Sequence, residues 1–190
     1  MALPVSRWRL WLGVAAMTLG LALAAQQLIP VLYRSMPPTS EAPPLQSADP
    51  AIRLTEAQDG VLAVYADVTG AKDAADNFDK AAATVSAVGQ ALKRGVSDDL
   101  KGIRTVRFVI RCQAINRFGQ DVMAQLVTLE LPLQALTGAD YGRTRPAEVL
   151  GLAEDVKLGA PGAYDALAAW CADPARAGKA FCDRTKAAAG

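Results

Sequence analysis

Residues 104–115 read RTVRFVIRCQAI. Val106, Phe108, Ile110, Cys112 and Ala114 alternate with Thr105, Arg107, Val109, Arg111 and Gln113. Successive side chains of a strand point to opposite faces, so the alternation predicts a strand with one apolar and one polar face. Such a strand belongs to a sheet that packs on a core on one side and meets water on the other. Asn116 to Gln120, with Gly119, predicts a turn, and Asp121 to Leu131 predicts the return strand. Met123, Leu126, Val127, Leu129 and Leu131 place apolar residues on both faces of that strand, which predicts cover on both sides. Pro132 ends it.

Working upstream, Asp73 to about Arg94 predicts the one long helix. Phe78, Ala81, Ala82, Val85, Val88 and Leu92 follow three-to-four spacing and form a core-facing stripe. Asp73 is placed to cap the first turn, Asp76 and Asp79 lie at the positive end of the helix dipole, and Lys93 and Arg94 suit the other end. Gly95 is a natural stop. Before the helix, Ile52 to Glu56 and Val61 to Val68 flank Asp59-Gly60, a hairpin signal.

Downstream the chain predicts short helices. Thr144 and Pro146 open one that runs to about Ala153, and Pro161 opens a second. Pro174 begins a last turn or helix to Cys182, with fraying from Lys186 to Gly190. The order predicts an α+β fold: a small antiparallel β-β-α-β-β sheet packed by one long helix, with short C-terminal helices.

The N-terminal region has a different character. Leu10 to Tyr33 is a run of 24 residues without charge, between Arg9 and Arg34. As a helix it reaches about 36 Å, enough for a hydrocarbon core of about 30 Å. Trp8, Trp11 and Tyr33 sit at its ends, and two arginines precede it against one after it. That bias predicts a cytoplasmic N-terminus and an exported remainder. The competing reading is a signal peptide cleaved at Ala22-Leu23-Ala24; the apolar run continues past that site, which favours an anchor. Either way residues 35–190 are exported. Ala16, Gly20 and Ala24 recur every four residues, a spacing that suits close helix pairing but that an alanine-rich chain also produces by chance. Ser35 to Pro50 holds five prolines and reads as an extended spacer. The expected layout is a cytoplasmic tail (1–9), a transmembrane signal-anchor (10–33), a Pro-rich linker (34–50), a periplasmic domain (51–186) and a short tail (187–190).

Composition excludes several chemistries. The chain has no histidine, so no histidine triad, histidine-ligated zinc or haem, and no histidine general base. Three cysteines are too few for an all-thiolate zinc site, and none forms a C-x-x-C pair. In an oxidising compartment Cys171 and Cys182 are expected to pair, leaving Cys112 as a buried thiol, although three pairings exist in principle. From residue 51 onward there are 17 basic and 17 acidic residues, so the domain carries no general attraction for nucleic acid. No cofactor is implied.

Arg107 and Arg111 share a strand face, with Arg104 and Lys101 nearby. This is the one concentrated positive feature, and it reads either as a docking face for an acidic partner or as an ordinary solvated face. Asp98, Asp99, Glu154 and Asp155 are carboxylates without a spacing that marks a catalytic pair. The expected function is a non-catalytic, single-pass inner-membrane protein of a bacterium. Its periplasmic domain would scaffold or dock in an envelope assembly such as a secretion or conjugation apparatus, with other envelope proteins or further copies as partners. The alternative is a secreted periplasmic module for a small ligand or envelope polymer. Trp170 is the one tryptophan of the domain, which makes a sugar-binding aromatic platform a poor prospect.

Overall fold

The computed structural model describes residues 45–95, 100–159 and 161–188. The apolar run Leu10–Tyr33 with Ala16, Gly20 and Ala24, most of the Pro-rich stretch, and Asp98 and Asp99 lie outside the described residues. Among the described residues no helix is long and apolar enough to cross a membrane.

The architecture is α+β, built on a five-stranded sheet: β1 (Ile52–Gln58), β2 (Val61–Val68), β3 (Thr105–Ile115), β4 (Asp121–Pro132) and β5 (Asp155–Leu158). Strand order in space follows chain order, β1-β2-β3-β4-β5. The β1–β2 hairpin turns at Asp59 and Gly60, both with positive φ (51° and 80°), as a two-residue Asp-Gly turn demands. The expected antiparallel sheet of four strands is corrected in two respects. β2 and β3 run parallel, so the sheet is mixed. The long helix α1 (Asp76–Gly95) is therefore a crossover that returns the chain to the same end of the sheet before β3 begins. The second correction is β5, which pairs antiparallel with β4.

The stripe expected on α1 is buried in full, from Phe78 through Leu92. Thr84, Ser86 and Gly89 are buried as well. The buried arc is wider than one stripe because α1 is also covered by α2 (Leu133–Gly138), α3 (Pro146–Val149) and α4 (Pro161–Cys171). The core thus lies between the inner face of the sheet and α1, and continues beyond α1 to the C-terminal helices. α3 runs on into a 3-10 turn at Leu150–Leu152. The last helix, α5 (Lys179–Ala188), begins after a turn and continues past Lys186, where fraying was expected. At the other end of the domain, Leu45 is buried in the core from a 3-10 turn at Leu45–Ser47.

The two-sided apolar pattern of β4 has a local cause. Pairing with β3 slips between Ile110 and Arg111: Val127 faces Ile110, Gln125 faces Arg111, and Leu126 is the extra residue. This bulge brings Leu126 and Val127 into the core consecutively. On the outer face Met123 is half-buried and Gln125 exposed, so that side of β4 is not covered as expected.

Candidate functional site

The outward face of the sheet is where the sequence-predicted docking residues converge. In β3 the inward residues Val106, Phe108, Ile110 and Cys112 are buried, whereas Thr105, Arg107, Val109, Arg111, Gln113 and Ile115 are all partly or fully exposed. Arg107 and Arg111 do share this face. Neither is free. Register places Glu130 of β4 directly opposite Arg107 and Asp67 of β2 directly opposite Arg111. Arg107 Nε donates to Glu130 Oε1 at 2.8 Å. Arg111 binds Asp67 through two parallel bonds, Nε to Oδ1 at 2.8 Å and Nη2 to Oδ2 at 3.0 Å. Arg53 of β1 approaches Asp67 from the other side at 3.4 Å.

The centre of the face is therefore a row of arginine–carboxylate pairs and not a positive patch. Asp67 is its anchor, with a side chain only 13% exposed between two arginines. Exposed pairs of this kind contribute at most about 1 kcal/mol each to stability. Their larger effect is to hold the guanidinium groups in a fixed plane. Arg104 stands apart. Its backbone N–H bonds Gly60 O and its carbonyl accepts from Leu133 N–H, tying three segments together, while the residue itself is exposed.

Sequence reasoning missed the apolar end of this face. The β3–β4 hairpin carries Ile115 (74% exposed) and Phe118 (71% exposed). The turn is rigid. Asn116 Oδ1 accepts from the N–H groups of Phe118 and Gln120, and Gly119 takes a φ of 76° that suits glycine. The Arg117 guanidinium lies 4.7 Å from the centre of the Phe118 ring. A phenylalanine inside an otherwise polar turn was the available signal.

The other candidate residues fall elsewhere. Cys171 and Cys182 form a disulfide between α4 and α5, with Cα atoms 5.7 Å apart. Cys112 is a buried free thiol on the inner face of β3, and burial pushes its pKa up. Trp170 is fully buried, stacked on Phe78 and edge-on to Phe181, so it serves the core. Its indole N–H donates to Asp79 Oδ1 at 2.7 Å, and Arg176 Nε donates to Asp79 Oδ2 at 2.8 Å. Asp79 is thus a tie between α1 and the C-terminal helices as well as a dipole partner. Asp76 N–H donates to Asp73 Oδ1 at 2.7 Å, the cap expected of Asp73. Asp155 is paired with Lys157 at 3.0 Å. Among the described residues no group of three or more acidic or cysteine side chains is arranged to hold a metal ion. Compared with protein-family models, with curated proteins and with solved structures, the chain matches none of them.

Proposed function

We propose that this chain is a non-catalytic, single-pass protein of the bacterial inner membrane. Residues 10–33 anchor it, residues 1–9 lie in the cytoplasm, and the α+β domain in the periplasm docks another envelope protein in an assembly of the secretion or conjugation kind. The anchor reading rests on the uncharged run and its flanking charges. The docking reading rests on one observation: an open sheet face with arginine–carboxylate pairs at its centre and an exposed apolar knob, Ile115 and Phe118, on a hydrogen-bonded turn at its end. Exposed aromatics held in a defined conformation lose little entropy on binding and are favoured anchors of interfaces. The paired charges call for a partner surface of alternating sign, in place of the acidic partner that unpaired arginines implied.

The test uses the full-length chain with two changes that spare the fold. Exchanging a pair, Arg107→Glu with Glu130→Arg, keeps the internal ion pair but inverts the pattern presented to a partner. Phe118→Asp removes the knob from an exposed position. Each is expected to leave the melting temperature within a few degrees and to remove the proteins that co-purify from the membrane fraction. An unchanged set of co-purifying proteins in both variants rejects this face. A mature N-terminus near Ala25 in the soluble fraction rejects the anchor.

A further inference from the structure

The sheet ends at β5, and the free edge of that strand faces a groove. Glu154, Asp155, Val156, Lys157 and Leu158 line it in unbroken succession, opposite Tyr164 of α4 and Arg184 of α5, around a cavity of about 410 Å³. Alternate strand residues point to opposite faces. A cavity bordered by all five in a row therefore runs along the strand's edge and not over one face. β5 pairs with β4 alone. Half of its backbone N–H and C=O groups point away from β4, as on any edge strand, and so toward the groove. Past Leu158 the groove opens into a second cavity of about 390 Å³ that shares Leu158 and Tyr164 and adds Leu167, Ala168 and Cys171. The first cavity thus carries most of the charged groups, and the second is mostly apolar with Lys186 in its lining. Tyr164, 55% exposed, stands at the junction.

We propose that this groove binds an extended peptide segment of another protein, added as a sixth strand on the edge of β5. A bulky apolar side chain of the peptide enters the pocket beside Tyr164, and a carboxylate two residues away meets Arg184. Side chains two apart on a strand share a face about 7 Å apart, which sets this spacing. The acidic residue follows from the charges of the lining. Among the described residues Arg184 and Lys186 on the α5 wall make no ion pair, nor does Glu154 on the strand side, whereas Asp155 at the start of the strand is held by Lys157; the unpaired charges of the groove therefore leave one net positive charge, at the α5 wall. Strand addition takes affinity from backbone bonds and specificity from such pockets.

The test uses the purified full-length chain and fluorescein-labelled ten-residue peptides read by anisotropy. One peptide has alternating threonines around a Leu-Thr-Asp core; the second has Lys for Asp; the third has Pro for the central Thr, which removes a strand N–H. The first is expected to bind about tenfold more tightly than either of the others, the scale of one charge-assisted contact or one strand bond. Arg184→Glu reverses the preference toward the Lys peptide, and Tyr164→Asp abolishes binding of all three. Both positions are exposed, and the charge and proline swaps in the peptide test the proposal on the native chain even if a variant fails to fold. Equal affinity for the three peptides overturns it. So does sedimentation of the free chain as a dimer that dissociates on Arg184→Glu. Phe118→Asp, on the β3–β4 hairpin and outside the groove lining, is expected to leave peptide binding unchanged, which separates this groove from the open face.

Discussion

At Asp79 one carboxylate joins regions of the chain more than 90 residues apart. It accepts from the Trp170 indole and from Arg176, and the Arg176 guanidinium also reaches Asp73 at 3.5 Å. Asp79→Ala leaves the buried Trp170 indole N–H without its acceptor and Arg176 with Asp73 alone, and is expected to cost about 1–3 kcal/mol in urea unfolding. Asp79→Asn keeps an acceptor for Trp170 and should cost less; equal losses would show that the indole bond is irrelevant. Asp73 carries a pH signature. The Asp76 N–H bonded to it, and to a smaller extent Arg176, hold its carboxyl below the ordinary 3.8, against an opposing effect of desolvation. The folded form binds its proton less readily than the unfolded form. Its stabilisation is therefore complete above pH 3.8 and is lost as pH falls through the lower folded value. Melting temperatures between neutral and strongly acidic pH should show a steeper acid decline in the native chain than in Asp73→Asn.

At the level of elements, α1 makes room for its neighbour. Gly89 sits where Tyr141 crosses the helix, and a Cβ there would collide with the phenol oxygen, which donates to Leu136 O at 2.7 Å. Gly89→Ala is expected to destabilise by about 1–3 kcal/mol through overpacking. In a Tyr141→Ala background the same change should stabilise by about 0.5–1 kcal/mol, because alanine is the better helix former. An identical effect in both backgrounds, measured by chemical denaturation, would remove Tyr141 from the explanation.

The helix stripe, the Asp-Gly hairpin and the alternation of β3 were legible because each is a local period or turn. The parallel β2–β3 pairing was not, since nothing local states which way a crossover returns. β5 is four residues long, too short for a period to emerge, and α2 follows a proline that read as a plain stop. The partners of Arg107 and Arg111 depend on register across three strands, so two arginines in a row looked like a charge patch. The two-sided apolar reading of β4 failed on one inserted residue, Leu126.

For the molecule as a whole, the disulfide closes the C-terminal helices against the Phe78–Trp170–Phe181 cluster. Cys182→Ser is expected to cost about 2–3 kcal/mol in equilibrium unfolding. Amide exchange should quicken in α4 and α5 well before the central strands β2 and β3. Uniform acceleration across the sheet would mean that the bridge supports the entire core. Strand order has another consequence. Because position in the sheet matches position in the chain, every new strand joins at the growing edge, beside the strand that preceded it. A polypeptide delivered N-terminus first, whether from a ribosome or through a translocation pore, never has to open an existing strand pair to admit a later strand. The domain can be laid down in the order in which it is made.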